Sequence, residues 1–386
     1  INKNLCISFY KIMRKINVLQ FICPAGFYGA EMWILALAKN IDTHSINCKL
    51  AITRESEEQN IEVYNRFQSL GFDAYQINMR GRFDPRVIYK LLRLIKEKKI
   101  DIIHTHGYKS DILGLAAARL AGIKAIATPH GFENSKDMKL QLFIRFGCMA
   151  LKRFDRVVPL SEELRTDMTR IKVKPSKIKL INNGVDLGEI EIEREIWSSQ
   201  FLRNESEKKI GYIGQVASRK NVIDLIKTFD LLYKEHQDVR LIIIGDGPKR
   251  VELEIYAKSL ASSSKIEFLG YRDDRLTLLK GIDLFCMTSS LEGIHRCLME
   301  AMAVGVPVTA FNIPGIDKLI IHEQTGLMAD FGDTERLKKC WKRLLYDSDF
   351  ARELAQNARN HVINNYSAKR MSDEYTKLYQ EVILES

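Results

Sequence analysis

A chain of 386 residues, 46% hydrophobic and 28% charged, is too long for one ordinary core and carries enough apolar material for two domains of a soluble, globular protein. Its net charge of +10 suits an anionic partner. Because Lys and Arg interleave with acids and no nucleic-acid motif is present, a phosphorylated substrate or an anionic membrane surface is the expected partner and nucleic acid is not.

Seven cysteines without a C-x-x-C pair, most of them inside apolar runs, argue against a disulfide framework or a zinc site and for reduced thiols in a cytoplasmic protein. No run reaches the roughly 18–20 apolar residues that span a bilayer.

In chain order, Lys11, Arg14 and Lys15 precede the apolar run 16–23. A basic patch before an apolar run can head a signal peptide. This run is short and leads through Gly29-Ala30-Glu31 into the helix-like stretch 33–38, so it reads as the first strand of a βα unit. Further strands are expected at 49–53, 74–77, 100–104, 125–128 and 156–160, and, past a polar turn at 182–186, at 210–213, 240–244, 266–269, 282–287 and 306–310. Strands alternating with amphipathic helices imply parallel α/β sheets in two doubly wound domains, 1–188 and 189–366. A final helix is expected over 367–386, with Tyr375, Leu378, Tyr379 and Val382 at helical spacing.

The most informative stretch is 284–321. A buried strand, a turn at 289–293 and a helix-like segment from Cys297 place Glu292 before a helix start and Glu300 inside the helix. Backbone N–H groups at a helix start receive phosphate, here those of Gly293, Ile294 and His295, while the carboxylates accept bonds from vicinal hydroxyls. Taken alone, Glu292 reads better as a turn residue and Glu300 as a solvated helix position, since charged residues lie mostly on surfaces.

The whole string resembles the signature of the retaining glycosyltransferases of family 4: Glu292-Gly293, Glu300, Ala301-Met302-Ala303, Gly305-Val306-Pro307-Val308 and Pro314-Gly315 follow its pattern in register, although His295 stands where proline is usual. The resemblance implies the GT-B fold, two Rossmann-like domains with a cleft between them and a C-terminal helix crossing back to the first. It further implies that the first domain binds acceptor and the second nucleotide, with Glu300 on the ribose and Glu292 on the transferred sugar. Members acting in bacterial surface-polysaccharide assembly look most similar.

Other stretches resemble the family in turn. Residues 210–221 look like its phosphate-binding segment, with Lys220 on the family's lysine, Gln215 on its arginine and Arg219 as the expected compensating cation. Gly245-Asp246-Gly247-Pro248 is similar to the turn beside the nucleotide base. Gly29 falls in the loop that approaches diphosphate or acceptor, and His130 on the histidine that faces the donor sugar. His104 and His106 lack a third ligand at metal spacing, and His106 reads as strand-end packing. There is no usable D-x-D motif, since Asp347-Ser348-Asp349 reads as a helix cap, and no phosphate loop of the G-x-x-x-x-G-K type.

The expected protein is a metal-independent, retaining transferase moving a sugar from a UDP-sugar to a lipid-linked or polysaccharide acceptor, without a cofactor. A sugar-nucleotide epimerase on a related fold and a catalytically inactive basic peripheral-membrane protein are the alternatives.

Overall fold

The computed structural model describes residues 14–81, 84–131, 138–188, 190, 207–291 and 296–385. The chain divides into two units, Ile1–Gly184 with Ala368–Ser386, and Val185–Ser367.

The first unit opens with β1 (Ile16–Ile22), α1 (Gly29–Asn40), β2 (Ile46–Arg54), α2 (Glu62–Ser69), β3 (Ala74–Asn78) and α3 (Arg86–Glu97). It continues through β4 (Ile102–His106), α4 (Tyr108–Ala121), β5 (Lys124–Ala127), α5 (Met138–Leu151), β6 (Arg156–Val157) and α6 (Glu162–Arg170). The strands are parallel in the order β3-β2-β1-β4-β5-β6.

The second unit runs β7 (Lys208–Ile213), α7 (Val222–Tyr233), β8 (Val239–Ile244), α8 (Arg250–Lys258), β9 (Ile266–Gly270) and α9 (Arg275–Lys280). Then come β10 (Leu284–Met287), α10 (Arg296–Val304), β11 (Val308–Asn312), α11 (Ile316–Leu319), β12 (Leu327–Asp330), α12 (Thr334–Tyr346) and α13 (Ser348–Asn365). Its parallel order β9-β8-β7-β10-β11-β12 repeats that of the first unit.

The strands are nearly continuous apolar runs because both faces of each sheet are covered. Along β8, Leu241 and Ile243 join one buried cluster while Ile242 and Ile244 join the other, as the two-residue period of a strand requires. The expected strands are all present, with ends displaced by a few residues. One displacement matters: β4 extends to His106, which pairs with Ile22 of β1. The short strand β12 was not anticipated from its four residues, Leu327–Asp330.

The last helix, α14 (Ala368–Leu384), belongs to the first unit and packs on α1. It buries Tyr375, Leu378, Tyr379 and Val382, and Arg370 donates to the Asn182 carbonyl at 2.5 Å. As its spacing suggested, Asp347 caps α13, accepting from the Phe350 N–H at 3.2 Å.

The turn after β8 is tied to the loop after β7. Gly214 N–H donates to the Ile244 carbonyl at 3.0 Å and Val216 N–H to that of Asp246 at 2.9 Å. Gly245 has φ +134°, and a Cβ on it would lie 1.9 Å from the Gly214 carbonyl oxygen; one on Gly247 would lie 2.4 Å from that of Val216. Chain packing against chain therefore requires both glycines. Gly29, by contrast, would carry a Cβ into open space. Gly245→Ala is expected to cost on the order of 2–4 kcal/mol of stability in chemical denaturation, whereas Gly29→Ala should stay within about 0.5 kcal/mol of the parent. A Gly245→Ala variant as stable as the parent would contradict the close approach.

Candidate functional site

In sheets of this order the connections leaving the two central strands diverge, and the crevice at their carboxyl ends is where ligands bind. In the first unit those strands are β1 and β4; in the second they are β7 and β10. Gly29 follows β1, His104 and His106 lie in β4, and His130 follows the neighbouring β5. Arg219 and Lys220 follow β7, and Glu300 lies in α10 after β10. Each unit thus carries a cluster of its own.

The first unit's cluster is neutral and hydrogen-bonded. His106 Nδ1 lies 3.2 Å from His130 Nε2, and His106 Nε2 lies 2.8 Å from Gln20 Oε1. His104 meets the Tyr379 hydroxyl at 2.8 Å and the Thr128 hydroxyl at 2.7 Å, and Thr128 meets that of Tyr375 at 2.8 Å. Trp33 packs its ring against all three histidines at 5.1–5.7 Å. Burial holds His104 and His106 well below the ordinary histidine value, with neighbouring histidines adding to the effect, and takes His130 down to about 3. His106 is thus part of a polar network, not only strand-end packing. Gly29 opens α1, whose Glu31 carboxylate accepts from the Tyr28 N–H at 2.9 Å.

Charge dominates the second cluster. Glu300 is 2% exposed and accepts from Arg275 Nη2 at 2.9 Å and Nε at 3.1 Å, one guanidinium edge spanning both carboxylate oxygens, and from Arg296 Nε at 2.8 Å. Burial opposes its charge, yet Arg296 and Arg275 outweigh that and hold the carboxyl below the usual range. Lys220, Arg275, Arg296 and Glu300 all act electrostatically on the partly buried Cys297 thiol, so three cations and one carboxylate share one locality.

Arg219 and Lys220 sit in a 3-10 turn, Ser218–Lys220, ahead of α7, which starts at Val222. Their carbonyls are held by the loop after β10: Ser290 N–H donates to Arg219 at 2.9 Å and the Thr288 hydroxyl to Lys220 at 3.3 Å. The Arg219 guanidinium donates to Gln215 Oε1 at 3.2 Å, which brings a cation to the side chain standing at the arginine position. Gly245 and Gly247 are accounted for by packing on residues 214–216. Glu292, Gly293, Ile294 and His295 lie outside the described residues.

Several partners escaped the sequence reading. Arg296 stands four residues before Glu300, a readable helical spacing, whereas Arg275 is 25 residues away and only the fold brings it in. Gln20, an amide set between Leu19 and Phe21 in the strand INVLQFI, is a visible signal. For Tyr375 and Tyr379 the spacing indicated burial but gave no hint that both hydroxyls reach strand-end partners.

Residues 27–189 match the family described as Glycosyltransferase Family 4, and residues 193–361 that described as Glycosyl transferases group 1. The chain is a glycosyltransferase of GT-B architecture and belongs to family 4. It is similar to the N-acetyl-alpha-D-glucosaminyl L-malate synthase of Bacillus anthracis, 27% identical over 382 residues that cover 97% of this chain and 98% of that protein. It is also similar to the UDP-Gal:alpha-D-GlcNAc-diphosphoundecaprenol alpha-1,3-galactosyltransferase of Escherichia coli, 27% identical over 319 residues, 78% and 80% of the two chains. Among solved structures, Anabaena HepE in complex with UDP superposes with a TM-score of 0.79 at 18% identity, covering 94% of this chain and 99% of that one. A Rickettsia africae glycosyltransferase gives 0.80 at 19% identity, with 97% and 100% covered.

The Glu300 cluster makes stability depend on pH. Its folded-state pKa lies below the unfolded value of about 4.3, so its contribution is complete above that pH and is lost as pH falls through the folded value. Glu300→Gln should lose on the order of 3 kcal/mol at pH 7, and its gap to the parent should narrow below about pH 4 in urea titrations. A gap that is constant or widens toward acid would contradict the ion pairing.

Proposed function

We propose that the chain is a retaining glycosyltransferase that moves a sugar from a UDP-sugar to a lipid-linked or saccharide acceptor in polysaccharide assembly, without a metal ion. The observation that carries this reading is the buried, ionised Glu300 in the locality of Lys220, Arg275 and Arg296. Glu300 Oε1 accepts two of the arginine bonds and Oε2 one, which leaves Oε2 room for a ribose hydroxyl. Lys220 and Arg219 meet the charge that develops on the departing diphosphate, as preorganised cations do, and Gly293, Ile294 and His295 add backbone amides. Glu292 and His130 take hydroxyls of the sugar, and Gly29 admits substrate close to the backbone.

The donor class draws support from HepE, solved with UDP and with UDP-glucose, and from the Escherichia coli relative, whose name gives a UDP-sugar donor and a diphosphoundecaprenol-linked acceptor. The Bacillus anthracis relative is named for joining its sugar to L-malate, so an acceptor panel includes L-malate beside lipid-linked saccharides. Retention follows from the family resemblance, the incoming hydroxyl attacking the face from which the diphosphate leaves.

The test pairs two variants. Glu300→Ala should weaken binding of free UDP about tenfold or more, while Glu292→Ala should leave UDP binding nearly intact and lower turnover. Parent turnover should survive excess chelator. Equal loss of UDP affinity in both variants would sink the division of roles, and turnover abolished by chelator and restored by magnesium or manganese would sink metal independence.

The acceptor end of the reading includes contact with an anionic membrane. No helix among the described residues is long and apolar enough to cross a bilayer. On α5 and just past it, Arg145, Lys152 and Arg153 are exposed beside Phe146 and Met149, which are 49% and 52% exposed. Lys136 lies outside the described residues. The chain should cosediment with anionic vesicles at low salt and lose that binding as salt rises; no binding at low salt would leave α5 as an ordinary packed helix.

A further inference from the structure

The hydrogen positions in the buried histidine network follow from one amide. Gln20 is fully buried in β1. Its Nε2 donates to the Tyr379 hydroxyl at 3.2 Å, and its side chain also bonds the buried Cys48 thiol. Oε1 faces His106 Nε2 at 2.8 Å. An amide oxygen only accepts, so His106 must carry its proton on Nε2. His106 Nδ1 then holds a lone pair, and the contact at 3.2 Å requires His130 to donate from Nε2.

On the other arm, the Tyr379 hydroxyl accepts from Gln20 and has its own proton free for His104 Nδ1, and we assign that proton there, the arrangement in which His104 Nε2–H donates to Thr128. All three rings are neutral with the proton on Nε2, in keeping with the lowering of their basicity by burial. The chain ends at His130 Nδ1. That atom is buried, bears a lone pair, and has no hydrogen-bond partner among the described residues. A buried acceptor left without a donor costs about 1–3 kcal/mol, so its retention calls for a ligand that supplies one.

We propose that Gln20, held by Tyr379 of the last helix, is the positioning residue that acts through His106 to fix His130 with a free lone pair on Nδ1, and that this lone pair accepts a hydroxyl of a substrate sugar. The proposal rests on the glycosyltransferase reading for its ligand but not for its proton pattern. A ring with the proton on Nδ1 would point a donor where an acceptor is needed. Sugar hydroxyls come from both donor and acceptor, and kinetics separate the two sources.

The test uses the full chain labelled with 15N-histidine, each of its eight histidines assigned by single replacement. Two-bond 1H–15N spectra should show His104, His106 and His130 as neutral rings protonated on Nε2. Gln20→Met keeps the length of the side chain but removes acceptor and donor, so His130 should lose its single pattern. Transfer kcat/KM should fall about tenfold with UDP affinity unchanged. A raised KM for the nucleotide sugar assigns the hydroxyl to the donor, and a raised KM for the acceptor assigns it to the acceptor.

Gln20→Glu retains an acceptor for His106 and should keep the His106 and His130 patterns and most of the activity. His104 alone should switch to Nδ1–H, because Tyr379 then donates to the carboxylate. A proton on His130 Nδ1 in the parent overturns the proposal without any variant. So does a folded Gln20→Met with the parent's kcat/KM. If the parent turns over no nucleotide sugar, the functional reading fails while the spectra still decide the network.

Discussion

Each unit depends on burying a parallel sheet on both faces. Parallel strands are joined by crossovers that place helices on either side, so neither face is left for chemistry. Polar groups without a packing role are driven to the strand ends. The shared order, β3-β2-β1-β4-β5-β6 and its repeat in the second unit, fixes which ends matter, because the connections part company between β1 and β4 and between β7 and β10. Gln20, His104 and His106 lie on the first pair of strands, and the loops bearing Lys220 and Ser290 follow the second.

The same burial acts on the two clusters in opposite ways. Histidine loses its charge when desolvated, and among the described residues no carboxylate accompanies His104, His106 or His130 in their network, so the rings stay neutral and are organised by hydrogen-bond direction. Glu300 is equally enclosed, but two guanidinium groups reach it, and Coulombic attraction in a poorly screened locality overcomes desolvation. One unit presents directional neutral acceptors, which suit hydroxyl groups. The other presents an excess of cations around one carboxylate, which suits a diphosphate joined to a ribose.

What the sequence made legible follows from this physics. Fold class was readable because two-sided burial writes strands as continuous apolar runs, and because the signature around Glu300 is long and in register. Strand ends were less so: β4 continues to His106, and β12 is four residues with no periodicity to find. Partners in the sites were legible only when local. Arg296 lies one helical turn from Glu300, but Arg275 arrives from α9 and Tyr379 from the far end of the chain. The Gly-x-Gly turn shows the converse, a motif resembling a ligand turn whose two glycines are explained by the backbone of residues 214–216.

The replacement of the family's arginine by Gln215 has a consequence for how the second cluster manages charge. A guanidinium at that position would add a cation beside Arg219 and Lys220, in a unit where Arg275 and Arg296 already share the Glu300 carboxylate. Gln215 is instead an acceptor for Arg219, so the guanidinium four residues on has a neutral anchor and no like-charged neighbour at that position. The exchange moves a positive charge four residues along the chain without adding to the repulsion. The main-chain bonds from Ser290 to Arg219 and from Thr288 to Lys220 then carry weight, because they fix the backbone of both cations to the loop that follows β10. Position is thereby set by the main chain and charge by the side chain, with the Arg219 guanidinium and the Gln215 amide joined as donor and acceptor.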